Sequence, residues 1–257
     1  MVGLVQIYYF FYFIDMKIIK LDAIDSTNSY LKRLLTKGIV DDLTVVVSKH
    51  QTKGKGRNEN IWENEASLNL AFSIYKKFNN LDVKDKFMLN VISSLSVFQL
   101  LKENNLNKIS IKWPNDIMTA NGKISGILIE NSVKGKLINE SVIGVGINVN
   151  QKKFDKLPNA TSLLIETGSE FSLDTLASRL VEIFRKKFLQ FEKNEEELLE
   201  NYNNQLFLKN INSNFMGLDN KKFSGKIISV NKSGELRIKK TNKEEIKYSE
   251  NTIKFLP

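Results

Sequence analysis

The sequence predicts an α+β fold: a mixed β-sheet with helices packed on it, followed by a small all-β module. Three observations carry this reading. Strand patterns of period two and helix patterns with apolar residues three and four apart both occur through the first 209 residues. Beyond residue 209 only short strands separated by turn signals remain. In the middle of the chain, Asn121-Gly122 between two apolar strands is the strongest short hairpin signal a sequence offers.

In chain order, residues 2–14 are almost wholly apolar and aromatic, with Gln6 the one polar interruption. The run is shorter than the roughly 20 residues that span a bilayer as a helix. It also lacks the basic start and small-residue cleavage site of a signal peptide. Met16 follows and opens an amphipathic strand over 17–21, so Met16 is expected to be the natural start and residues 1–15 to come from an upstream start; the other reading is an extension that packs or touches a membrane. Ser26 or Thr27 caps a helix in which Tyr30, Leu31, Leu34 and Leu35 recur at helical spacing, and Gly38 ends it. Residues 43–48, with Thr44-Val45-Val46-Val47, read as a buried strand, and 67–75 alternate as another. Apolar residues recur with helical period from 85 to about 103, where Asn104-Asn105 stop the helix. Residues 109–113 form a short strand ended by Pro114, because the residue before a proline is held extended. Two strands flank Asn121-Gly122, and 138–149 is a further strand.

The pattern is lost between 151 and 168, where Pro158, Asn159 and Gly168 mark a loop. Ser172 or Asp174 opens a helix to about 192, and Glu195 opens one to about 207. The remainder is short strands separated by Asp219-Asn220, Lys232-Ser233-Gly234 and Thr241-Asn242-Lys243, with clean alternation in Glu235-Leu236-Arg237-Ile238-Lys239. The expected division is an extension at 1–15, a main domain at 16–209 and a β module at 210–257.

Composition narrows the chemistry. At 257 residues, 42% apolar and 26% charged, the chain has the make-up of a globular protein with a sizeable core. It has no cysteine, which excludes disulfides and thiolate metal sites. The single histidine, His50, excludes His-pair metal sites and weighs against a Ser-His-Asp triad; it reads as a bystander at a strand end. A net charge of +9 favours phosphate ligands, nucleic acid or an acidic protein partner without choosing among them.

The candidate chemistry lies in a few blocks. In Lys112-Trp113-Pro114-Asn115-Asp116, Asn115 and Asp116 fall in a turn, where short polar side chains reach a ligand or cap the backbone. The Asn121-Gly122 turn delivers Lys123 onto the next strand, so an Asn, an Asp and a Lys gather at the mouth of one hairpin. Asp25-Ser26-Thr27-Asn28 stands at a helix N-terminus, whose free N–H groups suit an anion. Gln51-Thr52-Lys53-Gly54-Lys55-Gly56-Arg57 follows a strand; its alternating glycines let the backbone approach a ligand, and cations alternate with them. It is not a P-loop, because the GxxxxGK[ST] spacing is absent. Trp62 stands five residues beyond Arg57, and Gly144-Val145-Gly146-Ile147-Asn148 closes the set.

In this order and at these spacings, the blocks resemble biotin protein ligase (biotin–[acetyl-CoA-carboxylase] ligase) over roughly residues 17–257. The resemblance implies a catalytic domain of the class II aminoacyl-tRNA-synthetase and biotin-ligase kind, followed by a small SH3-like β-barrel. It implies that biotin is activated with ATP as biotinyl-5'-AMP and transferred to a specific lysine of a biotin carboxyl carrier domain. Adenylation is mostly positioning and charge neutralisation, which backbone donors and fixed cations supply. By the same resemblance, Ser26, Thr27, Asn28, Gln51, Gly54, Lys55, Gly56, Arg57 and Lys123 serve biotin. Lys55, Arg57, Trp62, Lys112, Asn115, Asp116 and Asn148 serve ATP and the adenylate, and Ala160-Thr161-Ser162-Leu163 matches a loop near the nucleotide. Lys123 and Arg57 would be the catalytic residues. Mg2+ would be held largely by ATP phosphates, with Asp116 as its protein carboxylate. The strand before Asp25 begins so near the N-terminus that the non-repressor form is expected, with no specific DNA binding, no membrane attachment and a cytoplasmic location; a homodimer is left open.

The departures from the family pattern are local. Lys55 stands where arginine is usual, and Glu59 and Asn60 replace a glycine and a basic residue, so Arg57 is the loop's one guanidinium. Two other readings remain: a lipoate protein ligase of the same fold, and a basic nucleic-acid-binding protein. Against the second, the C-terminal module shows no paired aromatic stacking motif.

Overall fold

A computed structural model describes residues 8–11, 17–38, 40–58, 60–63, 65–155 and 157–256. Its main sheet has the strands β1 (Tyr8–Phe11), β2 (Lys17–Ile24), β3 (Val45–Gln51), β4 (Asn69–Asp82), β5 (Ile109–Lys112), β6 (Asp116–Thr119), β7 (Lys123–Lys134) and β8 (Leu137–Asn148). They lie in the order β1-β2-β3-β4-β8-β7-β6-β5. Strands β2 and β3 run parallel with α1 (Thr27–Thr36) as their crossover, and the other neighbours are antiparallel, so the sheet is mixed as the sequence predicts.

Both faces of the sheet centre are covered, which is why β3 reads as an unbroken Val45-Val46-Val47 run rather than an alternation. Val46 packs with Ile19, Leu21, Leu31 and Tyr75 in the smaller core beside α1. Val45 and Val47 face the larger core under α2 (Phe87–Glu103), α4 (Leu173–Lys193) and α5 (Glu195–Asn204). Helix α2 is buried on nearly every side, from Phe87 to Leu101, as the central helix of that layer. Phe72 of β4 stacks on Phe184 of α4 with ring centroids 5.9 Å apart.

Some boundaries differ from expectation. The strand expected over 67–75 continues to Asp82, because β8 pairs with it along most of its length. The segment read as loop holds a short helix, α3 (Leu163–Thr167), capped by Ser162 and ended by Gly168 at φ 76°. Five residues are too few to display a helical period. Helix α5 ends at Asn204 rather than near 207, because Gln205 and Phe207 hydrogen-bond with Ile111 of β5 instead. Tyr8–Phe11, within the N-terminal extension, is an edge strand antiparallel to β2, while Met16 and the rest of 1–15 lie outside the described residues.

The C-terminal strands β9 (Asn212–Gly217), β10 (Lys222–Val230), β11 (Leu236–Lys240), β12 (Glu245–Tyr248) and β13 (Ile253–Phe255) form an antiparallel sheet in the order β12-β11-β10-β9-β13. It is open, with β12 and β13 at its ends. Its inner residues, among them Phe215, Ile227 and Leu236, are continuous with the larger core. Trp113 Nε1 donates to Gly234 O at 3.0 Å, so the β5–β6 turn is fastened to this sheet. Among the described residues no helix is long and apolar enough to cross a membrane.

Candidate functional site

The site forms where β7 and β8 lack side chains. Gly126 and Gly146 face each other across the ladder and Gly144 lies two residues along β8, so one face of the sheet is bare at three points. Glycine inside a strand marks the close approach of another group. A Cβ on Gly144 would lie 2.5 Å from Asn28 Oδ1, and one on Gly146 2.3 Å from the Trp62 indole. These strands floor an open cavity.

The N-terminus of α1 makes the first wall. Ser26 is the cap, its Oγ accepting from the Ser29 N–H, which fixes the buried Thr27 and Asn28 on the first turn. Thr27 donates to Gln51 Oε1 through its N–H at 2.8 Å and through its hydroxyl at 3.0 Å. Ser73, opposite Gly144 on β4, has its Oγ 2.7 Å from Thr27 Oγ1 and 2.6 Å from Asn28 Oδ1. Two hydroxyl protons serve three contacts, so the network can turn a proton toward a ligand or offer it a lone pair. Behind it, Asn28 Nδ2 donates to Glu130 Oε2 at 2.9 Å, and Lys32 pairs with the other oxygen at 2.7 Å. Burial works against the Glu130 carboxylate, yet hydrogen bonds from Lys32 and Asn28 outweigh it and hold its pKa below the usual value.

The second wall is the glycine-rich segment folded back on itself. The Gly56 N–H donates to Asn60 O at 2.7 Å and the Trp62 N–H to Gly54 O at 3.0 Å, with Asn58 at the tip in the left-handed region (φ 52°). Arg57 donates to Asn115 Oδ1 at 3.3 Å and forms an ion pair with Glu250 of the C-terminal sheet. Asn58 Nδ2 donates to Asn251 Oδ1 at 3.0 Å, so the loop tip and the C-terminal sheet meet twice. Trp62 lays its ring on Gly126 and Gly146, with Lys123 Nζ 5.5 Å from the ring centroid. The Trp62 Nε1 is buried with no hydrogen-bond partner among the described residues.

The third wall is the β5-β6-β7 meander. Its first turn contains a cis Trp113–Pro114 bond, and Asn115 is locked to β7 by bonds in both directions with Ile127, at 2.7 and 3.0 Å. Asp116 opens β6 and pairs with Lys123 Nζ at 2.7 Å. Two of the cavity's three cations, Arg57 and Lys123, therefore already have carboxylate partners.

Ser26, Thr27, Asn28, Gln51, Lys55, Gly56, Arg57, Trp62, Asn115 and Lys123 thus line one cavity. Gly54 faces an adjoining cleft on the other side of Trp62. Asp116 reaches the cavity through Lys123. Lys112 does not line it: its Nζ sits 5.4 Å above the Phe255 ring. Asn148 is buried behind the wall and donates to Thr161 O at 3.0 Å. Glu59 lies outside the described residues. Sequence reasoning named Gly144 and Gly146 only within a motif and gave them no role, and it missed Gly126 and Ser73. The glycines carried a signal, since they interrupt two apolar strands; Ser73 carried none.

Residues 21–148 match the Biotin/lipoate A/B protein ligase family. Among curated relatives, the Biotin--[acetyl-CoA-carboxylase] ligase of Mycobacterium tuberculosis is 29% identical over 180 residues, covering 69% of this chain and 66% of that protein. The Bifunctional ligase/repressor BirA of Escherichia coli is 27% identical over 175 residues, 67% of this chain and 54% of that protein. The match thus spans between about half and two thirds of these relatives' length. Among solved structures, biotin protein ligase from Aquifex aeolicus in complex with biotin and ATP superposes with a TM-score of 0.76 at 27% identity, over 93% of this chain and 99% of that one.

Proposed function

Because this chain belongs to the Biotin/lipoate A/B protein ligase family, we propose that it is an ATP-dependent biotin protein ligase. A carboxylate oxygen of biotin attacks the α-phosphorus of ATP and pyrophosphate leaves. The amine of an acceptor lysine then attacks the biotinyl carbonyl, loses a proton and expels AMP. The observation that carries biotin over lipoate is the polar cavity end built from Thr27, Asn28, Gln51 and Ser73. A ureido ring offers donors and an acceptor to such a network, whereas a dithiolane ring offers it neither a strong donor nor a strong acceptor.

In this reading, Thr27 and its network hold the ring, and Lys123 neutralises the carboxylate and α-phosphate as they meet. Lys55 and Arg57 close over the phosphate side, and Trp62 offers its ring to the adenine. Arriving phosphates compete with Asp116 for Lys123 and with Glu250 for Arg57. Asn148 acts from behind through Thr161, and Lys112 at the junction with the C-terminal sheet. No group of three or more His, Cys, Asp or Glu suited to a metal exists among the described residues. A magnesium ion carried on ATP with Asp116 as one protein carboxylate fits this donor set, and a protein-built cage does not. When bound, it would screen the phosphate charge.

Residues 16–209 would form the catalytic domain, with 210–257 as the counterpart of the family's SH3-like module in open form. The acceptor would be a biotin carboxyl carrier domain. Strand β6 pairs with β7 only as far as Gly126, so the outer edge of β7 toward Lys134 is open for strand addition. ATP use fits a cytoplasmic enzyme. The test is ATP–pyrophosphate exchange with biotin, lipoate, octanoate or no acid. Exchange with biotin alone is expected; exchange with lipoate alone would move the chain to the sister activity, and none with any acid would overturn the reading.

A further inference from the structure

Lys123 is the first residue of β7, and its backbone is secured outside the main ladder. Its N–H donates to Asn159 O at 2.7 Å, and its carbonyl accepts from the Thr161 N–H at 3.0 Å. Strand β6 holds it less regularly, because the β6–β7 register breaks between Ile117 and Met118. The backbone from which Lys123 reaches its partner Asp116 is therefore only as well placed as the 159–161 segment, which belongs to no strand beyond one isolated bridge.

Two side chains tie that segment down. Asn148 Nδ2 holds Thr161 O, and Glu166 of α3 gathers donors from both sides of the lysine. Glu166 Oε1 accepts from Thr161 Oγ1 at 2.7 Å and from Thr119 Oγ1 at 2.8 Å, while Asn121 Nδ2 lies 3.2 Å from each carboxylate oxygen. Thr119 and Asn121 flank the hairpin turn that delivers Lys123, and Thr161 is in the segment bonded to its backbone. One carboxylate thus bridges the two pieces between which Lys123 is held. An ionised carboxylate is acceptor-only and can serve all three donors at once; a glutamine amide has one oxygen and would turn its NH2 toward the amide of Asn121.

We propose that Glu166 is a positioning residue for Lys123, clamping the β6–β7 hairpin to the 159–161 segment so that the lysine ammonium stands fixed in the cavity. The kinetic side of this rests on the adenylation reading above; the structural side does not. A catalytic group misplaced by about 1 Å loses up to about 100-fold in rate. Removal of the clamp should lower kcat while binding of either substrate changes little, since Glu166 does not line the cavity.

The experiment compares wild type, Glu166→Ala and Glu166→Gln in biotin-dependent ATP–pyrophosphate exchange, alongside amide hydrogen exchange of peptides covering 119–126 and 159–161 and of helix α2 as an internal control. Expected for Glu166→Ala is a kcat lower by about 10- to 100-fold with KM for biotin and ATP within about twofold. Faster hydrogen exchange should be confined to 119–126 and 159–161, and Glu166→Gln should recover part of both. Unchanged hydrogen exchange at 119–126, or a uniform rise that includes α2, would overturn the proposal. So would faster local exchange with kcat unaltered. If wild type shows no activity with biotin, the functional reading fails, and the local hydrogen exchange still decides whether the clamp exists.

Discussion

Gly146→Ala puts the seating of Trp62 to a direct test. The added Cβ would lie 2.3 Å from Trp62 Cε2 and 2.6 Å from Nε1. Carbon atoms in contact sit about 3.5 Å apart or more, so something must move by about 1.2 Å. The backbone cannot give, because Gly146 is paired on both sides, with Ala71 of β4 and Gly126 of β7. The indole has to lift. It sits next to Ile61, which is 74% exposed, so the loop has room to yield and stability should fall by only about 1 kcal/mol, the low end of overpacking costs. Catalysis should suffer more, by about 10- to 100-fold, because the ring and Lys123 lie together. Acrylamide quenching reads the ring position without further changes: the other tryptophan, Trp113, is 5% exposed and stays protected, so any new accessible fraction belongs to Trp62. Quenching identical to wild type together with exchange activity within twofold would refute the argument that the floor glycines exist to seat this ring.

Arg57→Gly removes the loop's one guanidinium, so biotinyl-AMP should escape and label lysines of unrelated proteins in a mixed lysate; unaltered target selectivity would count against its retaining role. Glu250→Ala frees Arg57 from the C-terminal sheet and should give a weaker version of the same leak, with faster proteolysis between residues 54 and 62. Equal protease resistance in the two proteins would show that the contact does not hold the loop. At Asp25 the hydrogen bond from Arg33 lowers the carboxyl pKa to about 2. Its folded value lies below the unfolded value of about 3.9, so the pair stabilises fully above that pH and the contribution is lost as pH falls toward 2. Both side chains are more than a third exposed, which limits the effect to below about 1 kcal/mol. Denaturant titrations should show Asp25→Asn with a flatter stability profile than wild type between pH 4 and 2, and parallel profiles would remove the pair from the account.

What the sequence made legible, and what it hid, follows from how far apart the cooperating residues lie. Ser26 to Asn28, Lys55 to Arg57, and Asn115 with Lys123 could be read because each group announces itself within a few residues, through a helix cap, alternating glycines or a hairpin turn. The mixed sheet was legible for the same reason, since period and turn chemistry are local. The supports are not local. Ser73 reaches Asn28 across 45 positions, Glu166 reaches Thr119 across 47, and Glu250 reaches Arg57 across 193. No period or turn in the chain foretells such pairs. Lys112 and Asn148 show the converse: motif position pointed them toward the ligand, whereas β5 carries Lys112 to Phe255 and Asn148 donates to Thr161.

The division between what could be read and what could not is also a division of labour. The groups legible in the sequence are those that would meet the ligand, on short segments at turns and element ends, where side chains are free to reach. The groups that were not legible hold those segments still, each from a different element: Ser73 from β4, Glu166 from α3, Glu250 from beside β13. Each acts through hydrogen bonds or an ion pair to one of the legible residues or its immediate support. A cavity in which two of three cations are already paired and whose loops are already tied spends little on ordering them when a charged ligand arrives. By this argument, substitutions at the supports should lower turnover more than affinity, and substitutions at Thr27 or Gln51 should do the reverse. That contrast separates the two sets by kinetics as clearly as sequence distance does.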